Sequence, residues 1–176
     1  MLSKKRLYIH LLQSIISLEA AVSTPGTPSR FRVLCLKAMG IKVNGSVWVS
    51  ENTWFVNPEK LTLGREVCIG EASRIICHAP ISIGDQFLGA AGLYIDSGSH
   101  DVNTLLPSSA PITIGNRVWC GMRVTICAGV SIGDDVVIGA GSVVTKSLPS
   151  GYLAVGVPAK PIKKLERVNI DTIMVS

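Results

Sequence analysis

The sequence predicts an all-β fold, a parallel β-solenoid of about five triangular turns preceded by an N-terminal α-helical segment. From residue 114 to residue 144 every sixth residue is apolar, and the residue after it is mostly glycine. The apolar positions are Ile114, Cys120, Ile126, Ile132, Ile138 and Val144. Neither the helical period of 3.6 nor simple strand alternation produces a period of six. Three such hexads fill eighteen residues, so each turn has three short strands joined by small-residue corners.

The first element, within residues 1–42, is predicted to be an amphipathic helix in residues 4–22. One helical face carries Leu7, Leu11, Ile15 and Leu18. This face would pack on the domain or make a peripheral contact with a membrane surface. The segment is too short to span a bilayer and lacks a convincing signal-peptide cleavage site. A second helix is predicted at Thr27–Met39, with Thr27 as its cap, Pro28 in its first position and Gly40 at its end.

The solenoid is predicted over residues 43–150. Its turns begin at Val43, Leu63, Ile83, Ile114 and Ile132. Inward apolar residues then form ladders through turns stacked about 4.8 Å apart, with Gly89 as a weak member and Cys120 as a core filler. A polar loop, 101–113, interrupts the repeat after His100, which is taken as the last residue of the third turn. Residues 151–176 are expected to form a tail that packs on the solenoid.

Length, charge and cysteine usage limit the possible functions. The chain has 176 residues and fits one domain. Its formal net charge is +5, but the basic residues lie towards both ends instead of in a stripe interleaved with aromatics, so we expect no nucleic-acid partner. Five cysteines with no CxxC pair favour buried thiols in a reducing compartment. We therefore expect a cytoplasmic protein, and leave contact with the inner face of the membrane open.

A family resemblance lies in residues 112–165, which read ITIGNRVWCGMRVTICAGVSIGDDVVIGAGSVVTKSLPSGYLAVGVPAKPIKKL. This stretch resembles the hexapeptide-repeat acyltransferases, close to the maltose, galactoside and xenobiotic acetyltransferases. More narrowly, the upstream FRVLCLKAMGIKV, GSVWV and GSHD resemble members that O-acetylate sugars of colanic acid, capsule or lipopolysaccharide. The resemblance implies a left-handed solenoid, against the usual crossover rule. It also implies a homotrimer with active sites between subunits, acetyl-CoA as co-substrate and no metal.

His100 is the candidate catalytic base. A polar excursion from a rigid scaffold is where a functional site is expected, and an imidazole can accept a proton near neutral pH. In the resembled family the base follows the third-coil strand in a GH or SH pair, which matches His100. Asp96 and Asp101 are both candidates to orient its ring. His10 and His78 have no supporting motif and are expected to be structural or solvent-exposed.

The donor side is predicted at Met122 and Ala140, which are eighteen residues apart and so stack in successive turns. Their backbone N–H groups are candidates to bind the acyl carbonyl and the pantetheine amide. In the resembled family these positions do so, with the Met122 N–H helping to stabilise the tetrahedral oxyanion.

Further residues match family positions at coenzyme A. Trp119 matches a tryptophan beside the cofactor cleft, Thr145 and Lys146 match residues that contact coenzyme A, and Lys163 matches a basic position near the phosphates. Lys160 and Lys164 would reinforce that charge.

The acceptor side departs from the maltose and galactoside pattern. The corresponding stretch is IGEASRIIC, with Arg74 near the expected asparagine, so the acceptor recognition of those enzymes is not carried over. Glu71, Arg74 and the loop residues Ser97, Asp101 and Asn103 could face a different acceptor, or serve only structural and surface roles.

The predicted function is acetyl-CoA-dependent O-acetylation of a sugar in a bacterial surface polysaccharide or its precursor. The alternative is N-acetylation of an amino sugar or nucleotide-linked amino sugar by the same base chemistry. A γ-type carbonic anhydrase would need three zinc-binding histidines, whereas only His78 and His100 lie in the coils. A non-catalytic β-helix would share the ladders but would not explain His100, the loop and the matched donor positions together.

Overall fold

The computed structural model describes residues 4–22 and 29–166 and begins with two helices. Helix α1 is Lys4–Val22 and helix α2 is Arg30–Ala38. Helix α2 begins later than predicted because the Ser29 hydroxyl caps it, accepting from the Arg32 N–H at 3.2 Å. The predicted cap and first residue, Thr27 and Pro28, lie outside the described residues. The predicted end is confirmed, since Gly40 has φ of +94° just after the helix.

Helix α1 packs on the solenoid through a different face from the one the sequence singled out. Its inward residues are Leu12, Gln13, Ile16 and Ala20. The Gln13 side chain donates to the Phe55 carbonyl at 2.7 Å, and the Asn52 N–H donates to the Ser17 hydroxyl at 3.1 Å. Leu7, Leu11 and Leu18 are exposed. Ile15, the fourth residue of the predicted face, is half-buried against the core. The expectation that this face packs on the domain is therefore wrong for its three leucines. In the part of the chain that the structure describes, no helix is long and apolar enough to cross a bilayer.

The rest of the described chain is built from short strands and one 3₁₀ turn, Pro58–Lys60. In chain order the strands are β1 Lys42–Val43, β2 Val47–Val49, β3 Trp54–Val56, β4 Leu61–Leu63, β5 Val67–Ile69, β6 Arg74–Ile76, β7 Ile81–Ile83, β8 Leu88–Gly89, β9 Tyr94–Asp96, β10 Gly98–His100, β11 Pro107–Ser109, β12 Ile112–Ile114, β13 Trp119–Cys120, β14 Thr125–Ile126, β15 Ser131–Ile132, β16 Val137–Ile138, β17 Val143–Val144, β18 Tyr152–Gly156 and β19 Ala159–Lys164.

These strands form the three faces of a solenoid. Face 1 has the order β1-β4-β7-β12-β15, and face 3 has the order β3-β6-β9-β14-β17. Face 2 has the order β2-β5-β8-β13-β16-β18, all parallel, with β19 added antiparallel to β18. The predicted turns are present, and a sixth, incomplete turn follows, in which Leu148 pairs with Ile132 and β18 pairs with β16. The solenoid predicted from the six-residue period is thus confirmed.

The interior consists of the predicted apolar ladders. Ile69, Gly89, Cys120 and Ile138 are aligned on successive strands of face 2. The gap expected at Gly89 is filled by the buried ring of Phe87, because a Cβ on Gly89 would lie 3.0 Å from Phe87 Cε1 and 2.7 Å from Leu93 Cδ2. In this turn the large residue, Phe87, therefore precedes the small one, Gly89, and the ring of the first fills the space left by the second.

The five cysteines are free thiols, three of them buried and two half-buried. Burial raises the pKa of the Cys77 and Cys120 thiols to about 12. A thiol that remains protonated is a poor nucleophile. Cys120 is therefore a core residue, as predicted.

Candidate active site

The break in the repeat after the third turn is a β-hairpin. Strand β10 carries His100 and pairs antiparallel with β11, with Cα partners His100 and Pro107. Its base is closed by the Ala110 N–H, which donates to the Ser97 carbonyl at 3.0 Å. His100 therefore lies on the hairpin, not at the end of the third turn, and part of the stretch taken as a loop is strand. Serine-rich strands such as β11, PSS, carry no hydrophobic alternation, so the sequence pattern could not reveal them.

Ser97 anchors the hairpin to the solenoid. It is buried, and its hydroxyl bonds to both the N–H and the carbonyl of Ala79 at 2.8 Å. This corrects the suggestion that Ser97 faces an acceptor. Because the hairpin leaves the solenoid at a fully hydrogen-bonded residue, the backbone that carries His100 starts from a fixed position.

His100 opens into a cleft of about 360 Å³ between the hairpin and the corner that joins faces 3 and 1. Other cleft residues are His78, Asp96, Gly98, Ser99, Pro107 and Ser108. The His100 side chain is exposed, so a ligand in the cleft can reach it without any rearrangement of the core.

The two aspartates proposed as partners of His100 have different surroundings. Asp101 Oδ1 accepts from the Thr104 N–H at 2.8 Å, the Thr104 hydroxyl at 2.9 Å and the Asn103 N–H at 3.0 Å. These bonds, led by the Thr104 N–H, hold the pKa of the Asp101 carboxyl below its ordinary value. Asp96 lines the cleft, and its Oδ1 accepts from the Gly98 N–H at 2.7 Å. The structure therefore brings Asp96 to the cleft with His100, whereas Asp101 stabilises the turn of the hairpin.

His78 is the cleft residue that sequence reasoning missed. Strand pairing in the lower turns has a spacing of twenty residues, as in Ile75 with Ile95, so residue 78 stacks below Gly98. The His78 ring packs against Gly98 so closely that any Cβ there would collide with it. The twenty-residue register is the signal that could have placed His78 beside the hairpin.

The predicted donor amides lie at the corner between faces 2 and 3. Among the described residues, the backbone N–H groups of Met122 and Ala140 have no acceptor. Instead, the N–H of the following residue donates a hydrogen bond to the preceding turn. The Arg123 N–H donates to the Ala91 carbonyl at 2.9 Å, and the Gly141 N–H donates to the Met122 carbonyl at 2.8 Å. Two stacked donors are thus left free for a ligand.

Gly121 permits this arrangement. A Cβ at residue 121 would lie 2.7 Å from the Ala140 nitrogen and 3.0 Å from its Cα. Such contacts would force the upper corner away from the lower one. The glycine that follows the apolar hexad position is therefore needed for the close stacking of the two free amides.

Two further predicted donor residues, Trp119 and Lys163, lie in one outward row on face 2. The strand register aligns five residues across five neighbouring strands, namely Leu88, Trp119, Val137, Leu153 and Lys163. We call these residues the Trp119 row. Trp119 is half exposed, and Lys160 and Lys163 are exposed on β19. This row gives an extended ligand an apolar track that ends in positive charge.

The structure does not bring the two halves of the predicted site together within one protomer. Met122 and Ala140 lie at one edge of face 3, whereas the His100 hairpin leaves from its other edge. Thr145 and Lys146 follow β17 at the same edge as the hairpin, two turns above it. A side of five residues separates the edges by about 15 Å. Within one protomer, His100 and the two amides are therefore too far apart to contact one acetyl group.

Comparison with known proteins gives one matching family model, described as bacterial transferase hexapeptide (six repeats), over residues 111–146. Galactoside O-acetyltransferase of Escherichia coli K12 is 36% identical over 135 residues, which cover 74% of this chain and 66% of that enzyme. Escherichia coli K12 WcaF, named a "putative colanic acid biosynthesis acetyltransferase", is 33% identical over 150 residues, which cover 84% of this chain and 81% of WcaF.

Among solved structures, a galactoside acetyltransferase in complex with coenzyme A matches with a TM-score of 0.78 and 32% identity. The match covers 93% of this chain and 82% of that one. At this coverage the likeness is not confined to the repeats.

Proposed function

This chain belongs to the hexapeptide-repeat acetyltransferase family, and on that premise we propose that it transfers the acetyl group of acetyl-CoA to a sugar hydroxyl of a bacterial surface polysaccharide or its precursor. The observation that supports the proposal is that one chain offers both an exposed histidine on an anchored hairpin and, at another corner, a stacked pair of free backbone N–H groups. The relationship to WcaF supports a polysaccharide sugar as the acceptor.

In the proposed reaction His100 acts as the general base. Its imidazole takes the proton of the acceptor hydroxyl as that oxygen attacks the thioester carbonyl carbon. The negative charge that develops on the carbonyl oxygen is stabilised by the Met122 N–H. Collapse of the tetrahedral intermediate breaks the carbon–sulfur bond, and the coenzyme A thiolate takes the proton from the imidazolium. Asp96, which shares the cleft, orients the imidazole during these transfers.

We propose that the site forms between copies in a homotrimer. In such an assembly the hairpin edge of one protomer faces the Trp119 row and the Met122 corner of the next. The hairpin tip supports this arrangement, since Val102, Leu105 and Leu106 are exposed apolar residues and exposed apolar clusters mark contact sites. The free amides of one copy would then meet His100 of its neighbour.

The proposed function is tested by thiol release from acetyl-CoA with purified full-length protein and a panel of sugars and amino sugars. We expect release that depends on a neutral sugar, with an O-acetyl ester as the product. Transfer confined to amine acceptors would replace the proposal with N-acetylation. Absence of acetyl transfer to every hexose, uronic acid and lipid- or nucleotide-linked sugar in the panel would contradict it.

We predict that His78→Ala weakens acceptor binding. The ring of His78 lines the cleft beside His100, and in the proposed site it contacts the acceptor and not the thioester. Losing one polar contact should raise the KM for the acceptor about threefold to tenfold, equivalent to about 1 kcal/mol, with little change in kcat or in the KM for acetyl-CoA. A fall in kcat with an unchanged acceptor KM would assign His78 a different role. His10→Ala, a histidine on α1 outside the cleft, is the control.

We also predict that the double variant Lys160→Gln/Lys163→Gln weakens donor binding. Exposed charge pairs with phosphate contribute modestly, so the KM for acetyl-CoA should rise about threefold to tenfold and become less sensitive to salt. The KM for the acceptor should not change. Lys42→Gln, on β1 at the other end of the solenoid, is the matched control. If the double variant and Lys42→Gln change the KM for acetyl-CoA equally, the positive end of the Trp119 row does not bind the donor.

A further inference from the structure

Helix α1 has apolar residues on two opposite faces. At about 100° per residue, Leu7 lies opposite Ile16, and Leu18 lies opposite Ile9. One face packs on the solenoid, while Leu7, Leu11 and Leu18 on the other are 63%, 57% and 69% exposed. The side chain of Tyr8, also about half exposed, lies at the edge of this outer face. We call Leu7, Leu11 and Leu18 the outer leucine stripe.

The helical segment also carries the positive charge of the whole molecule. Residues 4–38 contain six basic residues and one acidic residue, which gives +5, the formal net charge of the entire chain. The basic residues are Lys4, Lys5, Arg6, Arg30, Arg32 and Lys37. The one acidic residue, Glu19, is bound to the buried Arg32. Lys5 forms an exposed ion pair with Glu59 at 2.8 Å. Apart from Glu19, the charged residues of the two helices are all basic, whereas the remainder of the chain is formally neutral.

We propose that α1 docks the protein on an anionic lipid surface, with the outer leucine stripe inserted at the boundary between headgroups and acyl chains. A surface-lying helix needs an apolar face parallel to the membrane together with basic residues that meet anionic lipids, and α1 with its neighbouring segment has both. Its opposite face is already fixed to the solenoid, so the helix presents the stripe without unfolding.

A lipid surface fits this stripe better than a second copy of the chain. Three leucines expose roughly 300 Å², less than half of the roughly 800 Å² per partner that a stable protein interface needs. Two copies joined through α1 would also bring two segments of charge +5 together, whereas anionic headgroups neutralise that charge. The charge and the size of the stripe therefore both favour a lipid surface.

The test is cosedimentation of the full-length protein with vesicles of phosphatidylglycerol and phosphatidylethanolamine, compared with vesicles of phosphatidylcholine alone. We expect binding to the anionic vesicles that weakens at high salt. The variant Leu7→Ser/Leu11→Ser/Leu18→Ser should bind roughly tenfold or more weakly. Arg30→Gln/Lys37→Gln should reduce the salt-sensitive part of the binding. Val157→Ser, which changes an equally exposed apolar residue in the β18–β19 turn, should bind like the wild type.

Either of two results would overturn the proposal. The first is that the leucine variant binds anionic vesicles as well as the wild type does. The second is that the wild type does not bind anionic vesicles. If the leucine variant also forms a smaller assembly in solution than the wild type, a second copy of the chain is the occupant of the stripe. Circular dichroism checks that the variant remains folded. The leucine variant should still transfer acetyl groups to a soluble acceptor. Its activity therefore tests the proposed catalytic function separately from lipid binding.

Discussion

Replacing His100 with alanine is expected to slow acetyl transfer about 10²- to 10⁴-fold, the usual contribution of a positioned general base. The acceptor hydroxyl would have to attack while still protonated, so the loss should appear in kcat. In the proposed site the free amides and the Trp119 row bind the donor, so the KM for acetyl-CoA should stay near its wild-type value. The fold should be unaffected, because His100 is exposed on the hairpin and contributes nothing to the core.

The control for this experiment is His10→Ala. His10 lies on α1, where its ring is 5.4 Å from the Trp54 ring, and it does not line the cleft. We expect it to leave kcat unchanged. Added imidazole should restore part of the activity of His100→Ala, because the cleft left by the side chain is open to solvent. An alanine variant as fast as the wild type would show that another group removes the proton.

The second large effect is on stability and concerns Phe87. The Phe87 ring is buried beside Gly89, in the space that other turns fill with the residue two positions later. Phe87→Ala should lower the free energy of unfolding by about 3–5 kcal/mol, since it removes the ring and leaves a cavity. Urea unfolding at fixed protein concentration measures this loss.

A further test asks whether the side chains at positions 87 and 89 fill the same space in the core. Gly89→Val alone should overpack the core by about 1–3 kcal/mol, because its Cβ would meet Leu93 and the Phe87 ring. The double variant Phe87→Val/Gly89→Val reproduces the pattern of Val47 and Val49, two turns below. It should lose less stability than the sum of the Phe87→Val and Gly89→Val losses. Strict additivity would mean that the two positions do not share one space.

Much of the fold was accessible from the sequence because a β-solenoid is local. Each turn repeats the same inward positions, so the ladder from Ile69 to Ile138 could be read as a period before any contact was known. The filling of the Gly89 gap by Phe87 was not accessible. It depends on a ring that crosses the interior within one turn, which a count of every sixth residue does not describe.

The sequence was a poorer guide where the packing partner decides the outcome. Helix α1 has two apolar faces, and the one that packs includes Gln13, whose bond to the Phe55 carbonyl no hydropathy pattern shows. The same limit applied to the site. Met122 and His100 could be identified as individual candidates from the sequence. Predicting that they lie at opposite edges of face 3 requires knowing how the chain runs around the three faces.

In the proposed function, His100 of one copy and the free amides at Met122 and Ala140 of another act on one acetyl group. A crystal structure of the protein with coenzyme A and a sugar acceptor tests this most directly. We expect the coenzyme along the Trp119 row, its thiol beside the Met122 N–H, and the acceptor hydroxyl within hydrogen-bond reach of a neighbouring copy's His100. Coenzyme A bound on another face, or a His100 that no neighbouring copy brings near the thiol, would contradict it.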